Sequence, residues 1–204
     1  MSQIKFTELR RYFDEELPGI TFARGLSDES AREVIRTFFE QTQQWKEDID
    51  PINTKKEVRF YDLSTPNSQG LIDRFTIVRQ RFTDDEETIK LEAEKDYVRP
   101  QRNEIELVAD PSDDVKKGLE IQVALVPTRI ATEICDELFD EWYLIWAKGV
   151  KANLMAMKNK RWSDPVRAIQ LEREFWDGIR FARSDETKGS RNVNLLATPQ
   201  FKFA

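Results

Sequence analysis

The hydrophobic positions change period twice along the chain. Near the start, Leu9, Phe13 and Leu17 recur every fourth residue, the spacing of one helical face, and Pro18-Gly19 closes the segment with a turn. A longer helical pattern follows, in which Ala31, Ile35, Phe38, Thr42, Trp45 and Ile49 alternate steps of three and four. Val34 and Phe39 widen that face. Ser27 offers an N-cap, with Asp28 and Glu29 placed to meet the positive helix end. Asp50-Pro51 predicts the stop, because a residue before proline avoids helical geometry.

Past Pro51 the repeat becomes two. Val58, Phe60 and Asp62 alternate with Arg59, Tyr61 and Leu63, and Phe75 and Ile77 continue such a pattern between Leu71 and Phe82. Asp84-Asp85-Glu86-Glu87 reads as a hairpin tip leading to Thr88-Ile89-Lys90-Leu91. Ile105 and Leu107 alternate with Glu104 and Glu106, and Leu119, Ile121, Val123 and Leu125 with Glu120, Gln122 and Ala124. Short strands at this spacing predict a small antiparallel sandwich or barrel with one wet face per sheet.

Helical spacing returns after Pro127. From a cap at Thr132 to about Lys158, one stripe holds Ile134, Leu138, Trp142, Ile145, Gly149, Ala152 and Ala156. A second holds Phe139, Tyr143, Trp146, Val150, Leu154 and Met157. Together they exceed the ~100° that one-sided packing needs. Such a helix needs cover on more than one side, and the second stripe is the expected subunit contact, with Phe139, Tyr143, Trp146 and Val150 as its residues. The last helix starts at Ser163 or Asp164 with Pro165 at its first position, and buries Ala168, Leu171, Phe175, Ile179 and Ala182. Helices, strands, helices and a tail in that order predict an α+β fold. The expected arrangement is a helical bundle split between 1–51 and 127–186, a β domain inserted at 52–126, and an extended C-terminal arm at 187–204.

Composition narrows the chemistry. The chain has no histidine, which removes Ser-His-Asp and Cys-His catalysis and His-ligated metal sites. Its one cysteine, Cys135, permits no intramolecular disulfide and suits a reducing compartment. No apolar run approaches the ~20 residues of a membrane span, and Met1-Ser2-Gln3-Ile4-Lys5 lacks a signal peptide's apolar stretch. A non-enzymatic protein of the cytoplasm, with no cofactor, metal or catalytic residues, is expected. The acids Glu133, Asp136, Glu137, Asp140 and Glu141 read as complements to a helix dipole, with Lys148, Lys151 and Lys158 at the other end. Their functional alternative is a metal site or an acid/base pair. Arg74, Arg79 and Arg81 stand among Asp73, Asp84 and Asp85 as a mixed-charge face.

The tail stands apart. Residues 187–204 contain Lys188, Arg191 and Lys202 and no acid, a charge of +3, which leaves −9 for the rest of a chain whose net charge is −6. Val193, Leu195, Leu196, Phe201 and Phe203 are too apolar for a purely solvating segment. Together with Arg191 they read as an arm that orders by lying across a partner.

Several runs, in order, resemble one family. They are Phe38-Phe39-Glu40-Gln41-Thr42-Gln43-Gln44-Trp45-Lys46-Glu47-Asp48-Ile49-Asp50-Pro51-Ile52, Tyr61-Asp62-Leu63, Val123-Ala124-Leu125-Val126-Pro127-Thr128, Asp140-Glu141-Trp142, Ala147-Lys148-Gly149-Val150, and Trp162-Ser163-Asp164-Pro165 leading to Ala168 and Phe175. This series is similar to the head-to-tail adaptor (connector, tail tubular) proteins of short-tailed bacteriophages, over most of residues 5–183. Val150 departs from the pattern, where alanine is expected. The resemblance implies a structural virion protein at the head–tail junction, made in the host cytoplasm. It implies a ring, usually a dodecamer, under the portal protein, held partly by the C-terminal arm. That ring would receive the tail nozzle and let DNA pass without specific binding or membrane contact. No catalytic residue comes with it. The rival expectations are a cell-wall glycan hydrolase using Glu133, Glu137 and Glu141, a nucleic-acid module using Arg74, Arg79 and Arg81, and a neck or completion protein lower in the tail.

Overall fold

Leu9, Phe13 and Leu17 are buried as their spacing predicts, but 3-10 turns deliver them rather than an α-helix. The turns span Phe6–Tyr12 and Asp14–Glu16, with a third at Ile20–Ala23, and Phe13 at φ −142° resets the winding between the first two. This computed structural model describes residues 2–17, 20–83 and 87–189. The segment is pinned to the rest by Lys151, whose buried Nζ donates to Glu16 Oε1 at 2.7 Å. A lysine this buried needs such a partner.

Helix α1 (Arg24–Thr42) starts a turn earlier than Ser27 suggests. The Ser27 hydroxyl donates to the Arg24 carbonyl at 2.8 Å inside the helix, so it back-bonds rather than caps. The helix also stops short of Asp50. Gln43 takes a left-handed φ of 56° and its N–H closes onto the Phe39 carbonyl. Trp45 and Ile49 are therefore not helical. They flank strand β2 (Lys46–Asp48) and are buried from there.

The chain is α+β, with antiparallel strands. β1 (Gln3–Lys5) pairs with β10 (Glu133–Cys135). The main sheet is built on β9 (Val115–Pro127), with β5 (Gly70–Gln80) on one side and β2 and β3 (Ile52–Thr54) on the other; β6 (Ile89–Lys90) edges β5. A three-stranded sheet has β8 (Glu104–Leu107) between β4 (Phe60–Asp62) and β7 (Tyr97–Val98). The expectation of one wet face fails in the last five residues of β9. Val123 to Pro127 are all buried, because α1 packs against this strand. Two register breaks bend β5, between Ile72 and Arg74 and between Phe75 and Ile77. Arg99 seals the first. Its guanidinium donates to the Ile72 carbonyl at 3.0 Å and to that of Asp73, and lies 4.9 Å from the centre of the Phe75 ring. The three-stranded sheet is thereby tied to the main one.

Helix α2 (Asp136–Met155) begins after Glu133–Cys135 have been drawn into the pair with β1, so Thr132 is not its cap. Helix α3 (Pro165–Gly189) starts where expected: Asp164 Oδ1 accepts the Arg167 N–H at 3.0 Å, and the Asp164 N–H returns to the Met155 carbonyl at 2.9 Å. Ala168, Leu171, Phe175, Ile179 and Ala182 are all buried. Glycine lets three helices meet at one point. A Cβ on Gly149 would lie 2.7 Å from Val34 on α1 and 3.0 Å from Phe175 on α3. One continuous apolar cluster joins the helices to both larger sheets.

Candidate interaction surfaces

The stripe expected to face another subunit is used inside the chain. Trp146 and Val150 have 0% exposure and Phe139 is buried beside them. The Trp146 ring lies 5.8 Å from Phe38, 5.7 Å from Phe39 and 6.0 Å from Phe139, centre to centre. The physical reason is the number of neighbours: α1, α3, β10 and the first 3-10 segment all pack on α2. The four-residue contact at Phe139, Tyr143, Trp146 and Val150 is thus corrected to core at three positions. Tyr143 alone stays partly open, stacked on Phe139 and 4.3 Å from Tyr12, two residues that line a groove of about 590 Å³. The buried indole nitrogens of Trp142 and Trp146 find no acceptor among the described residues. This aromatic core is held by ring packing rather than by polar bonds.

The arm residues Arg191, Val193, Leu195, Leu196, Phe201 and Phe203 lie outside the described residues. Helix α3 continues through 187–189, the first part of that segment.

The acidic and basic candidates do not converge. Glu133 is on a strand, while Glu137 and Glu141 are exposed on α2. Asp136 accepts the Ser2 hydroxyl, which holds its carboxyl below the usual carboxylate range. Among the described residues no group of three or more Cys, Asp or Glu is placed to hold a metal ion. Arg74 pairs with Asp73 at 3.1 Å and Arg81 with Glu120 at 3.8 Å, while Arg79 stands opposite Glu120 in the ladder. Acids thus neighbour each of the three arginines. Cys135 is a free thiol, half-buried in β10. Among the described residues no helix is long and apolar enough to cross a membrane.

Two exposed apolar faces lie outside the candidates that the sequence offers. The three-stranded sheet turns Tyr61, Ile105, Leu107 and Tyr97 inward, and burial raises the pKa of both phenols. Outward, Phe60 stands opposite Glu106, which stands opposite Val98, and Asp62 stands opposite Glu104. Val58 and Val108, just beyond the ends of β4 and β8, are exposed as well. Phe60 is 59% exposed and Val108 49%. The other face runs along α3. Ile169, Arg173, Trp176 and Arg180 are spaced four, three and four, which aligns them on a flank away from the buried stripe, and Val166 heads the row. Ile169 is 53% exposed and Val166 82%. The signal was present in both cases: an exposed Phe at an alternating position, and apolar residues interleaved with arginine off the buried stripe.

No family model matches the chain, and no curated protein matches it.

Proposed function

We propose that this chain is a structural subunit of the head-to-tail adaptor ring of a short-tailed phage, seated between portal and tail nozzle in the virion. The observation that carries the reading is where its family-like runs fall in the fold. Trp45 packs against the main sheet, so closely that a Cβ on Gly70 would lie 3.1 Å from its ring. Val123–Thr128 begins in the strand half buried on both faces. Gly149 is the point where three helices meet, and Asp164-Pro165 caps the last helix. These residues fix how the helices join the sheet, so a shared order of them supports a shared fold. Val150, where the family pattern expects alanine, is fully buried beside that crossing.

Charge supports the same reading. A body of −9 avoids gripping the phosphates of DNA passing through a channel, since basic contacts are what hold DNA. The basic, apolar segment at 187–204 supplies a coupling arm for the portal. Catalysis, cofactors and membrane contact have no part in this role. The test is mass by multi-angle light scattering, with and without purified portal. The expected result is a monomer or weak oligomer alone and a multi-copy complex on portal. Indifference to portal overturns the proposal. Removing residues 190–204 is expected to abolish attachment while leaving the unfolding transition in place.

A further inference from the structure

We infer that neighbouring copies of this chain dock by placing the outer face of the three-stranded sheet of one copy against the exposed flank of α3 of the next. Each face is apolar; the sheet face carries carboxylates, and the helix flank carries guanidinium groups, that of Arg180 shared with a neighbouring acid. The sheet face sets Phe60, Val58, Val98 and Val108 around the carboxylates of Glu106, Asp62 and Glu104. The helix flank sets Val166, Ile169 and Trp176 around the guanidinium groups of Arg173 and Arg180. Arg180 shares Asp177, one turn away at the helix surface, and both side chains remain largely exposed. Among the described residues nothing covers either face.

Two different faces of one molecule make a heterologous contact, the kind that closes into a ring when the rotation permits. Neither face can pair well with itself, because like charges would meet across the two-fold axis. Exposed aromatic and aliphatic groups rimmed by complementary charge are the anatomy of a specific protein interface. The inference rests on the reading of the chain as a ring subunit, and it supplies the subunit contact that the buried α2 stripe cannot.

The experiment mixes two variants in a Cys135→Ser background, Val98→Cys in one copy and Ile169→Cys in the other, and adds a short bis-maleimide. Cross-linking is read for the concentrated chain alone and for the complex formed on portal. The expected result is a cross-linked pair in the mixture and little in either variant by itself. Glu106→Lys in the first copy should cut the yield at least tenfold. Arg173→Glu with Arg180→Glu in the second copy should restore most of it. Val98 and Ile169 are exposed and Cys135 and Glu106 partly so, and thermal melts are compared within the Cys135→Ser background, where they should overlay. A multi-copy portal complex without the mixed cross-link overturns this pairing and leaves the ring reading standing. A mixed cross-link with no mass gain on portal upholds the pairing and removes the adaptor role. A cross-link from Val98→Cys to Phe201→Cys, in place of Ile169→Cys, would assign the sheet face to the C-terminal segment and overturn the pairing.

Discussion

Helices α2 and α3 lie antiparallel and share one interface, yet they use their apolar residues in opposite ways. α2 is apolar around most of its circumference and buries most of those residues against its own chain, with Trp146 and Val150 at zero exposure and Leu144 left open. α3 buries one narrow stripe completely and leaves Val166, Ile169 and Trp176 open on another side. Total hydrophobicity therefore counts how many neighbours a helix has, without saying whether they belong to the same chain. The residues available to a partner are the few that break the polar side of an otherwise ordinary amphipathic helix.

The sharpest way to break this contrast is Trp146→Ala. The cavity it leaves among Phe38, Phe39 and Phe139 is expected to cost about 3–5 kcal/mol, read as a lowered denaturant midpoint. A loss under about 1 kcal/mol would mean that α2 is not the centre of the core. Glycine gives a second, signed comparison. Gly149→Ala forces a methyl to within 2.7 Å of Val34 and should destabilise by about 1–3 kcal/mol. Gly25→Ala, with nothing within 4 Å, should stabilise α1 by up to about 1 kcal/mol. On the open side of α3, Ile169→Gln should leave the unfolding free energy within about 0.5 kcal/mol. The same variant should weaken self-association, so that stability and assembly separate on one helix.

The smallest effect is electrostatic. Lys148 on α2 holds the Glu174 carboxyl on α3 at 3.1 Å and lowers its pKa. A carboxylate with a depressed folded pKa contributes stability that is whole above the ordinary glutamate range and is lost as acid carries the pH down through the folded value. At this half-open site the contribution is a few tenths of a kcal/mol. NMR titration of the Glu174 carboxyl should show the low pKa, and Lys148→Ala should return it toward the ordinary range.

The buried stripe of α3 was legible because an unbroken period, a capping Asp164 and Pro165 at the first position all agree. The alternating strands were legible for a similar reason: Ile105 and Leu107, and Leu119 through Val123, face one way over a sheet covered on that side. The end of α1 was not. Gln43 enters left-handed geometry without being glycine, and Trp45 and Ile49 keep the helical count by coincidence because a strand buries them instead. Nor was β10. Three residues adjoining a helix become extended only because Gln3–Lys5 arrive to pair with them, and local pattern carries no trace of so distant a partner. The exposed faces on the sheet and on α3 carry a weak signal because their apolar residues are few and interleaved with charge, whereas the most apolar stretches are the ones a chain keeps for itself.

The bond between Ser2 and Asp136 spans 134 positions, and the β1–β10 ladder beside it closes the same long loop. Closing a loop that long costs more chain entropy than the short connection between α2 and α3. The opening residues are thus held by a three-residue ladder and one exposed side-chain bond. A bulky tag fused ahead of Gln3 should therefore loosen the start of α2 long before it disturbs the aromatic centre.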